Sequence, residues 1–188
     1  MQSRHKPLKN NACSWAVAKH IKNTDNMFTE YKNLPDNSRV WVYQADRTFS
    51  TEEIKIISSR AIDFIEQWTR HGDDLKGSFT FKYNQFLVIA VDESFATVSG
   101  CSIDASVRFV QQLESLFNID LMNKMNVSFK DGDAINIVKL VDFQQFAKAN
   151  KITKDTIVFN NMVQTKEEVE TQWEVPASQS WHNRFLVS

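Results

Sequence analysis

The chain has 188 residues, 42% hydrophobic and 24% charged, with a formal net charge of −1. That length suits one domain with a proper core, and the near-zero charge gives no electrostatic ground for a nucleic acid or an acidic membrane surface as partner. No stretch approaches the roughly 18 to 20 apolar residues of a spanning helix, the N-terminus lacks a signal-peptide core, and the two cysteines, Cys13 and Cys101, form no disulfide framework, so a reducing, cytoplasmic setting is expected.

Residues 1–26 are polar, mildly basic and weakly periodic, and are expected to be a disordered extension ahead of a single domain over 27–188. Residues 39–44, rich in β-branched and aromatic side chains, read as a strand. Ser50 and Glu53 form a capping box and Phe49 with Ile54 a hydrophobic staple, so a helix opens there. Its buried face carries Ile54, Ile57, Ala61, Ile65 and Trp68, and it is expected to stop at His71-Gly72. Residues 78–83 alternate apolar and polar, a turn at Asn84-Gln85 follows, and 86–91 are apolar without interruption: a hairpin with one half-exposed and one buried strand.

Ile103, Val107, Val110, Leu113 and Phe117 recur at helical spacing, with Ser102 as the expected N-cap. A second hairpin turns at Asp131-Gly132 between 127–130 and 133–138. Beyond it the sequence predicts a helix over 142–149 with Asp142 and Gln145 as its capping box, a short strand at 156–159, and a helix opened by Thr165 and Glu168. The tail, with Trp173, Val175, Trp181 and Phe185, is too aromatic to stand in water.

The order from 39 to 130 is therefore βαββαβ. The fold class expected is α+β, with a ferredoxin-like βαββαβ core, an added hairpin strand and a C-terminal α/β segment packed on the sheet. Two helices cover only one face of such a sheet. The strand at 86–91, apolar on both faces, asks for cover on the other, which the C-terminal elements are there to supply.

The junction between that strand and the following helix is the candidate site. Gly100, Cys101 and Ser102 stand where a helix N-terminus exposes unpaired N–H groups, a setting that lowers a thiol pKa or docks an anion. Asp104 opposes both effects. Asp92 and Glu93 end the strand, and Gly100 is expected to permit a close backbone approach. Cys101 itself is expected to be structural, buried and inert, with the reactive thiol as the alternative. A thiol-dependent centre would add His71 or His182 as a base.

Gly72 and Gly77 have the spacing of a phosphate-binding loop. Ser78 stands where its lysine belongs, however, and the stretch leads from helix to strand when such a loop leads from strand to helix. No spacing among Cys101, Asp104, His71 and His182 matches a metal-binding pattern, and no motif names a cofactor.

Five segments, in order, resemble a family of short Bacteroidota proteins: residues 38–44 around Trp41 and Tyr43; 64–72 around Trp68 and His71; 99–104 around Cys101; 125–130 around Phe129; and 180–186 around Trp181 and His182. The resemblance spans about residue 28 to 186. Its members are commonly labelled "ABC transporter ATPase", which implies nucleotide binding, and the family brings no catalytic residues to carry over. The expected function is a non-catalytic binding or regulatory module for a small ligand or a protein. A thiol-dependent enzyme centred on Cys101 is the alternative, followed by nucleotide binding.

Overall fold

The computed structural model describes residues 27–70, 73–94 and 97–186. Segment 1–26 lies outside the described residues. In chain order the elements are β1 (Arg39–Gln44), α1 (Thr51–Glu66), the short pair β2 (Thr69–Arg70) and β3 (Asp73–Asp74), β4 (Gly77–Lys82), β5 (Phe86–Val91) and α2 (Gly100–Phe117). There follow β6 (Asn126–Asp131), β7 (Ala134–Lys139), α3 (Leu140–Lys148), β8 (Ile157–Phe159), α4 (Lys166–Thr171), β9 (Glu174–Pro176) and two 3-10 turns, Ala177–Gln179 and Trp181–Phe185. The fold is α+β, with antiparallel sheets throughout.

The first sheet has the order β1-β5-β4, and all six residues of its central strand are buried. Alternation along a strand sends successive side chains to opposite faces. On one face Leu87, Ile89 and Val91 pack with Ile57, Ala61 and Ile65 of α1 and with Val110 and Leu113 of α2. On the other, Phe86, Val88 and Ala90 pack with Phe159, Val163, Val169 and Trp173 from the C-terminal third. The expected cover for the second face is present.

The fourth strand departs from the ferredoxin-like expectation. In that arrangement β6 would lie beside β1, but it pairs instead with β7 and β8 in a second sheet of order β7-β6-β8-β9. The free edge of β1 is taken by an extended segment: Val40 N–H donates to Gln164 O at 2.9 Å and Lys166 N–H to Ser38 O at 2.9 Å. The link from α2 to β6 carries the chain away. Asn118 ends α2 in a left-handed conformation, and the Glu114 carboxylate accepts from the N–H groups of Leu121 and Met122.

Local signals set several element ends. The Ser50 capping box forms, with Ser50 Oγ accepting from Glu53 N–H and the Glu53 carboxylate accepting from Ser50 N–H. Arg47, bonded to the same carboxylate, and the Ser50 N–H hold its pKa down at about 2. Gly132 turns the β6–β7 hairpin at φ +60°, a conformation in which a Cβ is strained. Elsewhere the ends move. Helix α1 stops at Glu66, well before His71-Gly72, because the chain tightens there, with Gln67 N–H donating to Phe64 O and Trp68 N–H to Ile65 O. Helix α3 starts at Leu140 without a side-chain cap, so the expected box at Asp142 and Gln145 does not form. Thr165 caps α4 as read, accepting from Glu168 N–H.

Trp173 is the anchor of the second face. It is 2% exposed and meets Phe86 and Phe159 at centroid distances of 4.9 Å, and its indole N–H donates to Asn161 Oδ1 at 2.9 Å. Trp173→Ala is expected to lower unfolding stability by about 3–5 kcal/mol in urea titrations, with an unchanged dependence on urea. A loss under about 1 kcal/mol would mean that this face is not load-carrying.

Candidate functional site

Helices α1 and α2 run antiparallel on the sheet: Trp68, just past the end of α1, meets the start of α2, and Phe64 meets its middle. The Trp68 indole N–H donates to Ser102 O at 2.9 Å, and Phe64 stacks on Phe109 at 4.6 Å with planes 6° apart. Between the outward edges of the two helices lies a groove of about 720 Å³. Its floor is aromatic, formed by Phe64, Trp68 and Phe109. One wall carries Arg60, Asp63 and Gln67, the other Cys101, Arg108 and Gln112, with the short Ala105 between them leaving room. A second, adjoining volume of about 550 Å³ continues past Arg60, Arg108 and Gln112 to Leu116.

The β5–α2 junction is built differently from the expected site. Helix α2 begins at Gly100 and its cap is Ser99, whose Oγ accepts from Ser102 N–H at 3.3 Å. Both serines are competent caps. The earlier one serves, and Ser102 enters the helix, where it is 1% exposed with its Oγ 2.9 Å from Ser99 Oγ. Cys101 is exposed, which corrects the expectation of a buried structural thiol. Gly100 needs no special conformation, and a Cβ there would meet no other part of the fold within 4 Å, so no packing within the protein demands a glycine. Asp104 is exposed in the second turn of α2.

The two strand-end acids fasten the connection. Asp92 is buried, its N–H donating to Lys76 O at 2.9 Å and its Oδ1 accepting from Ser94 N–H at 2.9 Å. The Glu93 carboxylate accepts from Val98 N–H at 2.8 Å and lies 3.8 Å from Arg39. Of the six residues expected at the site, Cys101 alone lines the groove. His71 lies outside the described residues. Among the described residues no group of three or more His, Cys, Asp and Glu is placed to hold a metal ion.

His182 belongs to a different part of the molecule. It is 0% exposed, stacked on Trp181 at 3.8 Å and tilted 5.2 Å from Phe143, in the core beneath α3. Its Nδ1 lies 2.7 Å from Ser180 Oγ, while Nε2 has no partner among the described residues. Burial, then the nearby Arg184 charge, push its pKa down to about 4, so the ring is neutral at pH 7. It does not meet the Cys101 groove and is not a base for that thiol.

The groove walls were missed in the sequence, although the signal was there. Cys101, Ala105, Arg108 and Gln112 are spaced by four, three and four, and Arg60, Asp63 and Gln67 by three and four. Each set is one helical stripe. Reading for the apolar stripe alone passed over both.

No protein-family model matches the chain, and neither a curated protein nor a solved structure does. Among the described residues no helix is long and apolar enough to cross a membrane.

Two outcomes follow from these placements. A histidine whose pKa falls from its usual 6.5 to about 4 on folding takes up a proton first in the unfolded chain. The stability it confers is complete above pH 6.5 and is lost as pH falls from 6.5 to 4, by about 3 kcal/mol in full. His182→Phe should flatten that slope in urea melts taken at a series of pH values. An unchanged slope would assign the acid sensitivity to other groups. Gly100→Ala, at an unstrained helical position with open space, should stabilise the fold by roughly 0.4–1 kcal/mol; a loss of stability would restore a backbone role for that glycine.

Proposed function

We propose that the protein is a non-catalytic cytoplasmic binding or regulatory module and that its site is the α1/α2 groove. The observation that carries this reading is the combination of an aromatic floor with charged and amide side chains on both walls. Aromatic and arginine side chains gathered in one recess are the composition of a recognition surface. The exposed thiol of Cys101 suits a reducing compartment. Among the described residues no hydrogen bond joins the Cys101 thiol to a base, although Asp63 lines the same groove, so binding is favoured over turnover.

The test is a fragment screen followed by two-dimensional amide NMR. Hits should shift amides of residues 60–68 and 101–116. Ala105→Trp, which puts a large ring where the wall is now open, should abolish those shifts while the melting temperature stays within a few degrees. Hits that bind Ala105→Trp equally well would remove the groove as the site.

A thiol-dependent enzyme is the second reading, favoured by one observation: Cys101 is exposed in the first turn of α2 and borders the groove. The pH dependence of iodoacetamide alkylation separates the two. A binding module predicts labelling no faster than that of an exposed thiol in a short peptide at every pH, whereas a thiolate persisting below about pH 7 would favour catalysis. Nucleotide binding, implied by the label of the family that the sequence resembles, predicts a rise in melting temperature with millimolar ATP and Mg²⁺; the binding-module reading predicts none.

A further inference from the structure

We propose that the α1/α2 groove receives an acidic, extended segment of a partner polypeptide, with Arg60 and Arg108 taking its carboxylates; the proposal rests on reading the groove as the binding site. The first ground is charge. Arg39 pairs with Glu93 and lies over Trp41, Arg47 forks onto Glu53, and Arg184 lies over Trp181 and Phe185. Arg60 and Arg108 make no ion pair, hydrogen bond or ring contact with the described residues, although both border the two adjoining volumes. Asp63 lies three residues from Arg60 in the same groove and pairs with neither. Two unengaged guanidinium forks on facing helices match carboxylates presented at an interval.

The second ground is shape. Along α2 the two volumes run from Cys101 to Leu116, which at 1.5 Å per residue is roughly 22 Å. An extended peptide of about seven residues spans that length at 3.3 Å each. The cleft is open along its length, whereas sites for small metabolites enclose most of the ligand surface. Gln67 and Gln112 offer amides that both donate to and accept from a peptide backbone, and the Phe64–Phe109 floor offers contact for an apolar side chain.

The third ground excludes the nearest alternatives for the occupant. Residues 1–26 of this chain contain five lysines and arginines and one aspartate, the same sign as the groove. The acidic helix α4 of a second copy is a poor fit, because Glu168 is bonded to Gln164 N–H and Glu170 to Lys82, which leaves the exposed Glu167 as one carboxylate for two guanidinium groups. A separate partner remains.

The experiment uses the full chain, a fluorescein-labelled heptapeptide alternating glutamate with leucine, and its lysine–leucine counterpart, read by fluorescence anisotropy at low salt. The glutamate peptide should bind at least tenfold more tightly than the lysine peptide. Arg60→Glu with Arg108→Glu, both on exposed helix positions, should reverse that order while circular dichroism and melting temperature stay unchanged. Equal affinity of the acidic peptide for the wild type and the charge-reversed protein would overturn the proposal. Citrate displacing the peptide at micromolar concentration would also overturn it, in favour of a small-anion site in a groove that still binds. So would concentration-dependent dimerisation in sedimentation that the double variant abolishes, since a second copy would then be the occupant. Peptide binding that survives Ala105→Trp unchanged would instead strike the groove reading itself.

Discussion

The burial of β5 on both faces is the constraint from which the rest of the structure follows. A strand reading Phe-Leu-Val-Ile-Ala-Val has no face to give to water, and each side chain buried contributes roughly 1.5–3 kcal/mol for the larger residues. It must therefore be central, with β1 and β4 along its edges and a layer over each face. The α1 and α2 helices form one layer. Because they are held together by the Trp68–Ser102 hydrogen bond and the Phe64–Phe109 stack, their outer edges keep a groove between them. The candidate site is thus a by-product of covering the sheet, furnished with side chains that the covering does not require.

The second layer is fixed in register by two polar nodes between the sheets. Gln44, at the end of β1, accepts through Oε1 from Ser128 of β6 at 2.8 Å and from Asn161 at 2.8 Å, and Asn161 in turn accepts from Trp173. At the tip of the β4–β5 hairpin, Tyr83 donates to Glu174 and accepts from Lys130, which also pairs with Glu174. Tyr83 and Asn84 both have positive φ, which L-residues other than Asn and Asp adopt at some strain. Burial pushes the Glu174 carboxyl up, but Lys130 and Tyr83 outweigh it and hold the group below its usual range, so the ion pair is kept at pH 7. Apolar packing alone has little directional preference; these bonds select one relative placement of the sheets.

Much of this was legible in the sequence where a single local interaction decides the outcome. Ser50 with Glu53, Gly132 in its turn and Thr165 with Glu168 each specify an element end by bonds made within a few residues. The two-faced strand likewise announced that the C-terminal third must pack on the sheet. Choices settled by distant partners were not legible. Ser99 and Ser102 are equal as caps until the packing that buries Ser102 separates them, and the pairing of β6 depends on β8, some thirty residues further on. The Cys101 position was found and its surroundings were not, because those come from α1, a helix read only for its apolar stripe. Asp92 and Glu93 carry charges that suggest chemistry, and their hydrogen bonds to Ser94 and Val98 show them holding a turn.

If one strand binds both layers, the two layers lose their structure together. Native-state hydrogen exchange tests this most directly, comparing the slowest amides of β5, of α1 and of the β8–β9 pair under increasing denaturant. All three should converge on one opening free energy, equal to that of global unfolding. Exchange of β8 and β9 at a free energy well below that of β5 would contradict it, because the C-terminal layer would then leave while the strand it is said to cover stayed folded.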